Sequence, residues 1–290
     1  MKAEIAVKAT AILGEGSLWD LKNHHLYWLD IVGRVLYTYD PVNGRNLGID
    51  LPRMAGAVVP RKAGGLVLAL EDGIQLFNTE TRTFKKIADP EEDRPETRYN
   101  DGKCDPAGRF WIGTMGRSGE AGLGSLYRLD VDGAIERALS GVDISNGIAW
   151  SPDKRTMYWT DTLKGEIYAF DYDDAAGTLA NQRRAVSVDP DDGLPDGMTI
   201  DAEGTLWTAC WDGGKVVRFD PAKGTKEDEV RLPVQRVTSC AFGGSDLKHL
   251  YITTARMGLS ENEIRDQPDA GSLFVCDAGV PGLPANEYAG

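Results

Sequence analysis

Six times along this chain of 290 residues, an apolar and mostly aromatic-bearing triplet is followed by a short gap and a Gly-led stretch. The triplets are Leu26-Tyr27-Trp28, Leu66-Val67-Leu68, Phe110-Trp111-Ile112, Met157-Tyr158-Trp159, Leu206-Trp207-Thr208 and Leu250-Tyr251-Ile252, with starts 40, 44, 47, 49 and 44 residues apart. The stretches that follow are GRVLYTYD, GIQLFNTE, GSLYRLD, GEIYAFD, GKVVRFD and GSLFVCD. Each triplet is preceded by another short apolar run, such as GIAWS or GMTID, and most units continue through a hairpin turn into a further run. That makes four short strands per unit, bounded by Gly, Asp, Asn and Pro. A period of ~40–50 residues with four strands is the pattern of propeller blades, where radial repetition leaves few open sheet edges. No amphipathic helical period is long enough to supply a crossover, and an open sandwich shows no such register. The expected fold is all-β: a six-bladed β-propeller with four-stranded antiparallel blades, forming a single domain over residues 1–290. The sixth unit lacks an outer strand after Cys276. The spare N-terminal EIAVKAT is expected to complete that sheet and close the ring.

Charge narrows the partners. A net charge of −13 repels phosphate backbones and anionic lipid, so neither nucleic acid nor a membrane is expected as a partner. No run of ~18 apolar residues is present, and MKAEIAVKATAILGEG carries charges inside what would be the apolar core of a signal peptide. The four cysteines, Cys104, Cys210, Cys240 and Cys276, are far apart and lie in or beside apolar stretches, as buried reduced thiols do. A cytoplasmic protein, monomeric or weakly dimeric, is the expectation.

In a propeller the innermost strand of every blade starts at one face and lines the axis, so residues at matching register converge. Counting back ten or eleven residues from each triplet gives Glu15, Gly56, Asn100, Asn146, Asp196 and Ser239. Four of these six carry a hard oxygen donor followed by Gly or Asp-Gly, and a small residue there lets the backbone crowd the axis. Two carboxylates and two amides without His or Cys suit a hard divalent cation, and a cation explains why two carboxylates share one spot. The competing reading is that Asp and Asn recur here because they form turns. It accounts for single positions better than for four in register.

The stretches RYNDGKCDPAGRFWIGTM, DISNGIAWS, LPDGMTIDAEGTLWTACWDGGKVVRFDP and the closing EYAG resemble the SMP-30/gluconolactonase family over essentially the whole chain, most closely its regucalcin-like aldonolactonases. The resemblance implies a six-bladed propeller that holds one divalent metal and hydrolyses sugar lactones such as gluconolactone. It implies Glu15, Asn146 and Asp196 as metal ligands, and Arg98 and Asn100 as contacts to the lactone. Ca²⁺ is the first candidate for the metal, with Zn²⁺, Mn²⁺, Mg²⁺ and Fe²⁺ as others. Regucalcin-like members place a lid with a substrate-touching acid after the Gly-Thr-Met motif. Here that stretch is the shorter GRSGEAGLG, with Ser118 where counting puts the acid and Glu120 two residues on. Glu120 is therefore the candidate third substrate contact.

A cation on the lactone carbonyl oxygen stabilises the negative charge that builds as water attacks, and Asp196 is the candidate general base. A carboxylate bound to a cation is a weaker base, so Asp196 needs one oxygen for each task. Arg98 offers a forked donor for sugar oxygens; its alternative is a surface ion pair with Glu96 or Asp93. Two other functions stay open: a calcium-binding regulatory protein without turnover, and a phosphotriesterase using the same cation. His24, His25 and His249 read as solvated turn residues, and no G-x-S-x-G elbow supports a serine nucleophile. Asp130-Val-Asp-Gly and Asp189-Pro-Asp-Asp-Gly lack full calcium-loop spacing and read as turns. Trp19, Trp111, Trp150, Trp159 and Trp207 are expected to pack between blades, and Trp211 to stand near the mouth. Asp101 and Lys103 fit either the site or a local charge pair.

Overall fold

Each repeat folds into its own four-stranded antiparallel sheet. The computed structural model describes all residues from Met1 to Gly290 and contains six such sheets, a six-bladed β-propeller. Blades 1 to 5 are built from consecutive strands within residues 14–50, 55–88, 97–142, 145–187 and 194–231. The innermost strands are Gly14–Asp20, Ala55–Pro60, Thr97–Cys104, Ser145–Trp150, Leu194–Ile200 and Val237–Gly243. Several are buried at every position, whereas the outermost strands alternate between half-buried and exposed residues. The gradient follows from the packing: inner strands are covered by neighbouring inner strands and by the next blade.

The sixth blade closes as the sequence predicts. Glu4–Val7 pairs antiparallel with Leu273–Asp277, placing Ile5 opposite Phe274 and Val7 opposite Leu273. The first residues of the chain thus complete the last sheet. On the face where the inner strands end, the C-terminal segment crosses from blade 5 to blades 2 and 3. Gly282 bridges Asp201, the Tyr288 N–H donates to the Pro60 carbonyl at 2.8 Å, and the Ala289 N–H donates to the Gly108 carbonyl at 3.0 Å. This segment also lines a cavity of ≈ 260 Å³ at that end of the channel.

The core lies between blades. Trp111, Trp150 and Tyr172 pack edge-to-face across blades 3 and 4, Trp207 meets Phe242 across blades 5 and 6, and Trp19 stacks on Tyr251 across blades 1 and 6. Trp159 stacks on Tyr168 of its own blade and belongs to the cluster that holds Trp111. A recurring polar device ties the blades down. Fully buried Asp105 and Asp201 each accept the indole N–H of the Trp six residues on, at 3.0 and 2.9 Å, and each also accepts an Arg. All four cysteines are free and buried. No helix is long and apolar enough to cross a membrane. The one α-helix, Glu261–Asp266, is short and opened by a Ser260–Glu263 capping box.

Candidate active site

Every inner strand carries a one-residue register shift against its partner, and all six fall at the same level. The breaks lie between Glu15 and Leu18, Ala55 and Ala57, Tyr99 and Gly102, Asn146 and Ile148, Pro195 and Met198, and Val237 and Ser239. A bulge adds an unpaired residue, bends the strand and re-aims a side chain. Each of the six register positions from Glu15 to Ser239 sits in or beside one. Glycines make the crowding possible. A Cβ on Gly147 would stand 2.7 Å from the Asp196 carbonyl oxygen, and one on Gly197 would stand 2.6 Å from the Ser239 hydroxyl. No side chain larger than hydrogen fits between these inner strands.

Glu15, Arg98, Asn100, Asn146 and Asp196 all line one cavity of ≈ 500 Å³ at this mouth. Glu15, Asn100, Asn146 and Asp196 are buried; Arg98 is half-buried. The two asparagines differ in what their atoms meet. Asn100 is satisfied at both ends: its Oδ1 accepts from Arg98 Nη1 at 2.8 Å, and its Nδ2 donates to the Ser145 carbonyl at 2.9 Å. Asn146 donates from Nδ2 to Thr162 Oγ1 at 2.9 Å, while its buried Oδ1 has no partner. An orphaned acceptor in the interior is costly, on the order of 1–3 kcal/mol, unless something else fills its valence.

Electrostatics point the same way. Burial raises the Asp196 carboxyl well above its ordinary range, and the neighbouring charges of Glu15 and Asp101 add to the rise. Glu15 is raised chiefly by burial and then by Asp101, against the opposing pull of the Gly16 N–H, Arg98 and Lys103. Carboxylates pressed together out of water are relieved by a positive ion. The residues present therefore fit a hard divalent cation: two carboxylates in need of positive charge and one amide oxygen in need of a partner. No three His, Cys, Asp or Glu side chains gather as a metal cluster.

Arg98 makes no ion pair with Glu96 or Asp93; Glu96 pairs with Arg94 instead. Its Nη1 donates to the Tyr99 carbonyl at 3.0 Å as well as to Asn100. Burial pushes its guanidinium down to about 10, partly offset by Glu15, so it remains charged at neutral pH. Arg117, Ser118 and Gly119 reach the cavity lining, whereas the exposed Glu120 turns its carboxylate back to accept the Ser118 N–H at 3.0 Å. Of the two candidate lid residues, Ser118 borders the cavity and Glu120 does not. Trp211 lines the mouth, under the Arg236 guanidinium at 4.6 Å from its ring.

Asp101 and Lys103 do not form the local ion pair that was one alternative. Asp101 is buried, accepts the Gly102 N–H at 2.7 Å through Oδ1 and leaves Oδ2 without a partner, while Lys103 donates to the Met198 carbonyl. Spacing alone did not single out Thr162, which holds the Asn146 amide, or Arg117, which pairs with Glu71. Both lie after the second strand of a blade, where the count from the triplets does not reach. The 189–193 stretch forms a 3₁₀ turn over Pro190–Asp192 and the 130–133 stretch a hairpin turn, as read from the sequence.

Residues 13–256 match the family model described as SMP-30/Gluconolactonase/LRE-like region. The chain is 39% identical over 290 residues to the Bacillus subtilis (strain 168) protein named "Putative sugar lactone lactonase YvrE", covering 100% of this chain and 99% of that one. It is equally 39% identical, over 293 residues, to regucalcin of Danio rerio, again with 100% and 99% covered. Among solved structures, a calcium-binding protein, regucalcin, from Agrobacterium tumefaciens superposes with a TM-score of 0.94 at 30% identity, covering 99% of this chain and 98% of that one.

Proposed function

The chain belongs to the SMP-30/gluconolactonase/LRE-like family, and from that footing we propose that it is a metal-dependent hydrolase that opens sugar lactones such as gluconolactone. One observation carries the reading: the unpartnered Asn146 oxygen shares a cavity with two carboxylates raised chiefly by burial, and with a charged Arg98 that forms no ion pair. The first three groups would hold the cation. Arg98 and Asn100 would hold the lactone.

Held by Glu15, Asn146 and Asp196, a divalent cation, Ca²⁺ first among the candidates, would supply positive charge to offset the negative charge that builds on the lactone carbonyl oxygen. Asp196 takes the proton from the attacking water, the new bond forms to the carbonyl carbon, and the ring C–O bond breaks. The freed ring oxygen takes the proton that Asp196 accepted and becomes a hydroxyl, which restores the Asp196 carboxylate, and the acid formed releases a proton at neutral pH. Arg98 orients the substrate through its forked donors, and its geometry is fixed by the Tyr99 carbonyl and Asn100. Buried Asn100 is in turn held by the Ser145 carbonyl, so that the pair presents a preset polar edge.

A calcium-binding role without turnover is the competing reading, since regucalcins are among the relatives and one is described as calcium-binding. Arg98 and Asn100 favour the hydrolase, because ion storage alone has no use for a charged donor facing an open cavity. A pH-indicator assay of D-glucono-δ-lactone opening separates the two. The account expects turnover well above the spontaneous rate and a loss on the order of 10³-fold in Asp196→Asn. Opening no faster than the spontaneous rate, or near-normal turnover in Asp196→Asn, defeats it.

A further inference from the structure

The rim of the cavity is apolar to a degree that a sugar does not require. Val32, Leu163, Leu194 and Met257 are among the few large hydrophobic side chains left 36–44% exposed, and all four line this one mouth. They come from blades 1, 4, 5 and 6: three turns and the first residue of the blade 5 inner strand each present an apolar residue to the same opening. Ile12, 43% exposed, is tied to the ring through its carbonyl, which accepts the Met257 N–H at 2.8 Å. Half-buried Met54 and Trp211 continue the lining inward, while Glu15, Arg98, Asn100, Asn146 and Asp196 supply the polar part. Single exposed hydrophobic residues are ordinary; a ring of them around a polar centre marks a binding surface. The cavity, at ≈ 500 Å³, is larger than a hexose lactone fills.

We infer that this rim binds an apolar substituent of the substrate, so that the site also opens lactones carrying an alkyl tail on the ring carbon next to the ring oxygen. The inference rests on the lactonase reading and adds a substrate class to it. The reaction is the same hydrolysis with water as the only co-reactant: the ring C–O bond breaks, and a hydroxy acid with the tail on its carbinol carbon is released. The polar groups hold the ester, and the tail lies against Leu163, Leu194 and Met257. Each methylene taken from water into such surroundings is worth about fourfold in binding, so a short tail is enough to shift preference measurably.

The test compares δ-decalactone with δ-valerolactone, which share the ring and differ in the tail. The expected ratio of kcat/KM is at least about tenfold in favour of the tailed lactone. The double variant Leu163→Gln, Met257→Gln, with its thermal midpoint measured to show that it is folded, is expected to bring that ratio close to one. Equal kcat/KM for the two lactones overturns the inference, as does a ratio unmoved in the folded double variant. A double variant that converts a dimer to a monomer with the ratio unmoved assigns the rim to a second copy of the chain instead. D-glucono-δ-lactone measured alongside separates the two levels. If it is opened while the ratio stays near one, only the rim inference falls; if no lactone is opened, the lactonase reading falls with it.

Discussion

Asn100 and Asn146 are the same residue type at the same register, yet their surroundings differ. Arg98 occupies the Oδ1 of Asn100, whereas Thr162 takes only the Nδ2 of Asn146 and leaves its Oδ1 free. Register counting placed both asparagines on inner strands, but it gave no way to tell a free oxygen from an occupied one. That distinction depends on Thr162, sixteen residues on in the chain, and on a carbonyl of the next blade. Thr162 would act on the proposed ligand Asn146 through a hydrogen bond, and outer-shell partners of this kind typically change metal affinity ~10–100-fold. Thr162→Val is therefore expected to weaken divalent-cation binding at least about tenfold in a calorimetric titration, without altering the fold by circular dichroism. Unchanged affinity would show that the Asn146 amide is oriented by something else.

Among elements, the inner strands decide the site. Their repeat was legible because four short strand-like runs recur every ~40–50 residues, which helical repeats of similar period do not show. The six aligned bulges were not legible, because a bulge is a property of two strands and the sequence shows one at a time. The glycines beside the polar residues were the visible trace, and their close contacts with the next blade account for them. The entry to the strand bearing Asp196 is pinned by Asp192, whose Oδ1 accepts from Lys215 at 2.6 Å and Lys226 at 2.7 Å. Burial alone would raise the Asp192 carboxyl, but the two lysines outweigh it and hold it below its ordinary value. A carboxyl lowered in the folded state contributes stability that is full above the unfolded-state value of ~3.9 and is lost as pH falls through the folded one. Asp192→Asn is thus expected to cost about 1 kcal/mol at neutral pH. Its deficit against the parent protein should shrink towards zero as pH falls below about 4 in urea unfolding. A deficit that stays constant across that range would mean that the charge of Asp192 is not what stabilises the turn.

For the whole molecule, the C-terminal segment and the candidate site occupy opposite ends of the channel. The N-terminal strand completes blade 6, and the C-terminal segment crosses the face away from the candidate site. The closing strand was legible from a deficit, since the sixth repeat lacks an outer strand after Cys276 while a spare strand stands at the start. The path of the C-terminal segment was not, because Gly282 and Tyr288 bridge residues that lie some eighty and more than two hundred positions earlier. What the ring achieves is convergence: residues spread from Glu15 to Asp196 meet at one mouth because six strands share one axis. The central claim is that this convergence holds one catalytic cation. It is tested most directly by titrating metal-stripped protein with Ca²⁺, Mn²⁺ or Zn²⁺ while measuring both bound metal and sugar-lactone turnover in the same samples. The account predicts one cation per chain, turnover rising in proportion to occupancy, and loss of both in Asp196→Asn. Full lactone turnover in the stripped protein, or turnover that ignores occupancy, would contradict it.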